Sequence, residues 1–261
     1  MVVVGPRHRD APHRRPLGFE VLETEEYARI AAVEDDHWWY RNTRALVGEL
    51  LAPWLGRGQR TLDAGCGPGG NGAWLSTHGT VIGVDISPDA LQFVRHNRPD
   101  TLPAQADLEA LPFADAVFDQ VVAITVLYTV PDDARATREL ARVLRPGGAV
   151  VLVEPAFEAF RRAHDSTVHS RRRYRRTQLA DLARAAGLTP RRCTYAYSFL
   201  APPAAALGAL DRVRHAPPTE SDVERRALDS VFDPMARAER KVLATRDLPI
   251  GTSALVLATK D

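Results

Sequence analysis

The stretch TLDAGCGPGGNG, Thr61 to Gly72, places five glycines among twelve residues directly behind a short apolar run. Glycine tolerates left-handed backbone and has no Cβ, so such a loop lets main chain come close to a ligand. Gly65, Gly67 and Gly70 satisfy a G-x-G-x-x-G spacing, and Gly65, Gly67 and Gly69 satisfy G-x-G-x-G equally well. On either spacing the helix predicted behind the loop, GAWLSTH, turns its unsatisfied N–H groups toward the loop.

Working outward, short apolar runs alternate with helical stretches. TLDAGC, VIGVDIS, AQADL, FDQVVAITVL and AVVLVEP read as strands, while SPDALQFVRHN and DDARATRELARVL read as helices. That rhythm predicts a parallel sheet covered by helices on both faces. Carboxylates at the predicted strand ends then narrow the ligand. Asp63, two residues before the first glycine, would repel a dinucleotide pyrophosphate and favour a ligand bearing an ammonium group. Asp85 ends the second strand, where a carboxylate accepts from ribose hydroxyls, a feature shared by NAD and S-adenosylmethionine. Asp107, at the end of the third, lies within reach of an adenine amino group.

LDAGCGPGG, GVDIS, QADLEALPFADAVFD and ELARVLRPGG occur in the order and at spacings that resemble the class I S-adenosylmethionine-dependent methyltransferases, over about Thr61 to Glu154. The resemblance implies a Rossmann-like, seven-stranded, mostly parallel sheet whose last strand, TSALVLATK, runs antiparallel. It implies that S-adenosyl-L-methionine is the cofactor, with Gly65, Gly67 and Gly69 approaching its methionine part and Asp63 near the ammonium. Asp85 would hold the ribose, Ile86 pack on the adenine, and Asp107 and the Leu108 backbone meet the base. Ile124 and Thr125 would floor the site near the sulfonium.

The flanks are similar to a bacterial subset of that family, which carries an HWWYR helix before the glycine loop. This extends the likeness to about Tyr27 to Leu207. From Thr24 to Leu51 the pattern is helical, with Trp39, Leu46, Val47 and Leu50 on one face and His37, Arg41 and Arg44 on another. In this setting Tyr40 and Arg41 would close over the methionine end, Arg41 pairing with its carboxylate, and Trp38 would wall the acceptor pocket. His164, His169 and Tyr128 are the catalytic candidates, a histidine near neutral pKa being suited to remove an acceptor proton. Arg173 and Tyr174, within a run of arginines, match the subset's RRY and are expected on the substrate. Many relatives carry an acidic residue and EH after the fourth strand, and some of them use such carboxylates to hold a divalent metal. Here ITVLYTV offers Thr125, Tyr128 and Thr129 and no carboxylate before Asp132, so no metal is expected.

Composition bounds the rest. A formal net charge of +1 across 261 residues argues against nucleic acid as partner, and no apolar run reaches the length of a membrane span. Two cysteines make no disulfide framework, and MVVVGP is too short for a secretory leader, so a cytoplasmic protein is expected. The expected organisation is a disordered arm at 1–18, lid helices at 19–56, and a methyltransferase domain at 57–261 with insertions at 155–176 and 202–246. The expected activity is methylation of a small acceptor, a secondary metabolite or sugar, favouring oxygen, by a monomer or homodimer. A cyclase-like use of bound S-adenosylmethionine and an NAD-dependent oxidoreductase are the rivals. Asp63 and ELARVLRPGG weigh against the latter.

Overall fold

A computed structural model describes residues 22–214 and 228–261. The arm expected at 1–18, and residues 215–227 of the expected second insertion, lie outside the described residues. Seven strands form one sheet: β1 (Gln59–Ala64), β2 (Gly79–Asp85), β3 (Thr101–Gln105), β4 (Phe118–Ile124), β5 (Leu144–Pro155), β6 (Thr189–Ala196) and β7 (Ser253–Thr259). Their order is β3-β2-β1-β4-β5-β7-β6, with β7 antiparallel to both neighbours and the other pairings parallel. The sheet is the Rossmann-like, seven-stranded, mostly parallel architecture that the resemblance implied.

Alternation along the central strands builds two cores. On β5, Val150 and Leu152 face one layer with Leu62, Ile82 and Val121, while Val151 and Val153 face the other with Val81, Val122 and Leu255. Apolar residues on both faces are what a strand covered twice requires. The helices are α1 (Thr24–Val33), α2 (Trp38–Leu51), α3 (Gly72–Leu75), α4 (Pro88–Asn97), α5 (Asp133–Val143), α6 (His164–Thr167), α7 (Arg176–Ala185), α8 (Ala201–Arg214) and α9 (Asp229–Leu243). Local chemistry starts several of them. Ser87 Oγ accepts from Ala90 N at 3.3 Å with Pro88 in the first turn of α4, and Asp132 Oδ1 accepts from Arg135 N at 2.8 Å on α5. Each cap contributes about 1 kcal/mol.

Four element boundaries differ from expectation. The helical stretch 24–51 is broken at 34–37, where Glu34 and His37 turn inward. The helix behind the glycine loop is α3, four residues followed by a 3-10 turn at Ser76–His78. Strand β3 lies at 101–105 instead of 104–108, because Pro103 sits on a sheet edge where its missing N–H is not needed. Strand β6, also an edge, begins at Thr189 and ends at Ala196, so TYAYSF is only partly strand. Among the described residues no helix is long and apolar enough to cross a membrane.

Candidate functional site

The carboxyl ends of the parallel strands open into a cavity of about 760 Å³ that runs from the glycine loop to the segment after β5. Ligand sites in open α/β sheets lie at this end, where β1 and β4 diverge. Gly65, Gly67 and Gly70 line it. A Cβ on Gly65 would stand 2.2 Å from Val126 Cγ2, and the residue has φ +69°, so only glycine lets the loop fit against the β4 exit. Gly69, expected at the ligand, instead faces α4, where Val94 and Arg98 lie 3.0 Å from a hypothetical Cβ. Its place is taken by Gly70, whose amide donates to Glu34 Oε2 at 3.1 Å.

Asp85 fulfils its expectation of position. It lines the cavity at the end of β2 and accepts from Gly67 N and Ser87 N, both at 2.9 Å. Burial raises its pKa, and those backbone donors work against the rise. Asp63 does not reach the cavity. It stands behind Asn71, which lines the wall and donates to Asp63 Oδ1 at 3.2 Å. Burial pushes Asp63 up to about 7, and among the described residues its Oδ2 has no partner. Ile86, Asp107 and Leu108 line the cavity, although Asp107 lies in the loop beyond β3, where its Oδ1 accepts from Glu109 N at 2.9 Å. Ile124 and Thr125 line it at the β4 exit, and Thr125 is held at φ +50° with its N–H on Val153 O at 2.7 Å.

That exit loop is fastened by a residue the sequence reading passed over. Glu154 is fully buried at the end of β5 and accepts from Val126 N (3.2 Å), Leu127 N (2.8 Å) and Tyr128 N (3.2 Å). Burial raises its pKa to about 8 against those three donors. Its sequence context, the last carboxylate of an apolar strand, was the available signal.

The lid side is built by α1 and α2. His37, Tyr40, Thr43 and Arg44 face the cavity, whereas Arg41 does not. The guanidinium of Arg41 turns to α9, Nη2 lying 2.9 Å from Asp233 Oδ1, so its expected pairing with the methionine carboxylate is corrected. The reason is helical phase: successive residues advance by about 100°, and Arg41 falls a full step past Tyr40. Arg44, three residues on, is the cation that α2 brings to the cavity. Its Nη2 donates to Glu34 O at 2.7 Å, and among the described residues its buried Nη1 has no hydrogen-bond partner. Glu26 and Glu34, buried on the lid side, also line this end and were not anticipated. Trp38, not Trp39, is the more deeply buried of the pair. It packs edge-on to Tyr197 at 5.4 Å and against Phe232 at 5.3 Å while still contributing to the cavity wall.

At the far end the structure gathers Tyr128, His164, His169 and Arg173 around the cavity and leaves Tyr174 out. Tyr174 is buried in the core, its hydroxyl donating to Asp133 Oδ2 at 2.7 Å, so it is not a substrate residue. Arg173 lines the wall with its guanidinium already engaged: Nε and Nη2 lie 2.8 and 2.9 Å from the two oxygens of Asp165. The Asp165 carboxylate is thus committed to Arg173, and its Oδ2 also accepts from Arg162 N at 2.8 Å. Burial alone would raise Asp165, and the Arg173 pairing outweighs it, holding the carboxyl below its usual range. Tyr128 is raised, chiefly by burial and then by Glu154.

Residues 62–152 match a family model described as a methyltransferase domain. That segment, about a third of the chain, is similar to methyltransferase domains. Among curated relatives, the methyltransferase GfsG of Streptomyces halstedii is 39% identical over 37% of this chain and 38% of its own length. A Mycobacterium tuberculosis protein named as a probable S-adenosylmethionine-dependent methyltransferase is 32% identical over 63% of this chain and 61% of itself. A malonyl-[acyl-carrier protein] O-methyltransferase of Pseudescherichia vulneris is 33% identical over 56% of this chain and 61% of itself. The chain thus spans less than two thirds of the length of these relatives. Two solved structures share the fold. The [4+2]-cyclase SpnF superposes with TM-score 0.59 at 19% identity, covering 91% of this chain and 93% of that one. A Mesorhizobium loti S-adenosylmethionine-dependent methyltransferase superposes at 0.56 with 22% identity, covering 87% and 99%.

The cofactor of the methyltransferase domain is S-adenosyl-L-methionine, and the residues present fit it. Asp85 lines the cavity, and each of its oxygens, accepting from one backbone N–H, keeps a second lone pair for a hydroxyl donor. A hypothetical Cβ on Gly67 meets no atom within 4 Å, and Arg44 on the wall has a buried Nη1 without a hydrogen-bond partner among the described residues.

Proposed function

We propose that the chain is an S-adenosylmethionine-dependent methyltransferase that acts on a small-molecule acceptor, a secondary metabolite or sugar, at oxygen. One observation carries the reading: a single cavity joins the glycine-loop end, with Asp85 and Asp107, to a second end lined by Tyr128, His164 and His169. When bound, the cofactor supplies a methyl group on a sulfonium, open to in-line displacement. Asp85, Ile86, Asp107 and Leu108 hold the nucleoside part, and Gly65, Gly67, Gly70 and Arg44 the methionine part. Helices α1 and α2 serve as the lid that excludes water, and Ile124 and Thr125 form the floor. Much of the rate in such a displacement comes from alignment. Removal of a hydroxyl proton falls to His164 or His169, both on the wall of the acceptor end. The names of the curated relatives, a malonyl-[acyl-carrier protein] O-methyltransferase among them, support oxygen as the methylated atom.

The test is a panel of hydroxylated acceptors with cofactor carrying a CD3 group, read by mass spectrometry. The proposal expects S-adenosylhomocysteine and CD3-labelled product in equal amounts. Product without S-adenosylhomocysteine would overturn it in favour of a cyclase-like role.

A further inference from the structure

The two ends of the cavity differ in charge, and the difference bears on the acceptor. The carboxylate Glu34 and the cation Arg44 belong to the cofactor end, carried by the C-terminal turn of α1 and by α2, while Glu26 on α1 lies within electrostatic reach of Tyr128, where its charge also disfavours an anion. At the acceptor end each cation is already matched. Arg173 is held bidentately by Asp165, and Arg162 Nε lies 3.3 Å from Asp211 Oδ2, an oxygen that also accepts from Ala163 N at 3.2 Å. A carboxylate or phosphate entering here would have to break a buried, doubly hydrogen-bonded ion pair to find a partner, and the carboxylate left behind would be uncompensated.

Much of the remaining wall is apolar, with Thr129, Thr252 and Ser253 as its polar members. Trp38, Phe160, Val168, Leu200 and Phe232 line the interior, contributed by α2, the turns after β5 and β6, and α9. The apolar lining does not stop at the mouth. Leu207 on α8 and Leu228 just before α9 line the cavity and are still 40% and 48% exposed. An exposed apolar rim continuous with an apolar pocket marks a ligand whose body extends out of it.

We infer that the acceptor is an uncharged, predominantly apolar molecule, larger than a single sugar, that presents a neutral hydroxyl beside Tyr128 and the two histidines while its body lies between α8 and α9. The inference rests on the methyltransferase reading and narrows it, setting aside free sugars and carboxylate acceptors.

Calorimetry on the full chain saturated with S-adenosylhomocysteine tests it, with 1-naphthol, oestradiol, glucose and malonyl-coenzyme A as probes. Oestradiol or 1-naphthol should bind about tenfold or more tighter than the other two, and Leu207→Glu should weaken that binding about tenfold, since a carboxylate at the rim must be desolvated. The affinity for S-adenosylhomocysteine, measured separately on the variant, should be unchanged. Tighter binding of glucose or malonyl-coenzyme A, no binding of either apolar probe, or indifference to Leu207→Glu would overturn the inference. Failure of S-adenosylhomocysteine itself to bind would instead overturn the methyltransferase reading beneath it.

Discussion

Arg44 and Arg41 sit less than one turn apart on the same helix and have different work. Arg41 faces α9 and closes an ion pair with Asp233, whose carboxylate also takes Arg237 and Asn42. Arg44 faces the cavity with an unsatisfied Nη1. Replacing Arg44 by alanine should weaken S-adenosylhomocysteine binding by about 2 kcal/mol, roughly thirtyfold, the usual worth of a hydrogen bond to a charged group. Arg41→Ala should leave that affinity unchanged and cost less than about 1 kcal/mol of stability, since its partner pair is partly exposed. Titration of both variants decides, and a larger loss for Arg41 would reverse the assignment. At this scale the sequence was legible where a role depends on local position. Asp85 closes β2, where strand-end reasoning placed it, and Ile86 and Leu108, named by the family resemblance, line the cavity. It was not legible where a role depends on a distant partner. Nothing near Arg41 announces Asp233, nothing near Tyr174 announces Asp133, and Arg173 looks like a free anion grip until Asp165 is folded against it.

The glycine loop, the β4 exit and the end of β5 act as one joint. Val126 fills the space a Gly65 side chain would need, Thr125 turns through left-handed backbone, and Glu154 fixes the following three N–H groups. Gly65→Ala should therefore destabilise the protein by about 2–3 kcal/mol, from overpacking and a strained φ together. Val126→Ala added to it should restore part of the loss, leaving the backbone strain. Chemical denaturation of the single and double variants measures the coupling, and strict additivity would contradict the joint. The strands themselves were readable from β-branched runs and the glycine loop. Edges were read out of place, because an edge strand such as β3 accepts Pro103 and few apolar residues, which hides where it begins. The break between α1 and α2 was hidden because both halves share helical periodicity, and only the inward turn of Glu34 and His37 separates them.

Taken whole, the molecule buries carboxylates that the sheet ends leave short of water. Burial raises Asp63 from 3.8 to about 7 and Glu154 from 4.5 to about 8. Between each ordinary value and its raised one the folded protein keeps a proton that the unfolded chain has lost. Stability must then fall as pH rises through that window, being fullest below the ordinary values. Thermal unfolding from pH 5 to 8 should show the melting temperature declining, and Asp63→Asn with Glu154→Gln should flatten the slope. A rise in that range would contradict the burial of protonated carboxyls. The central claim is the cofactor site that the whole sheet assembles, and calorimetric titration tests it most directly. The protein and its Asp85→Ala variant would be titrated with S-adenosylhomocysteine and with NADH. Binding of S-adenosylhomocysteine alone, weakened about thirtyfold or more in the variant, is the predicted result. Binding of NADH in its place, or indifference to Asp85, would contradict it.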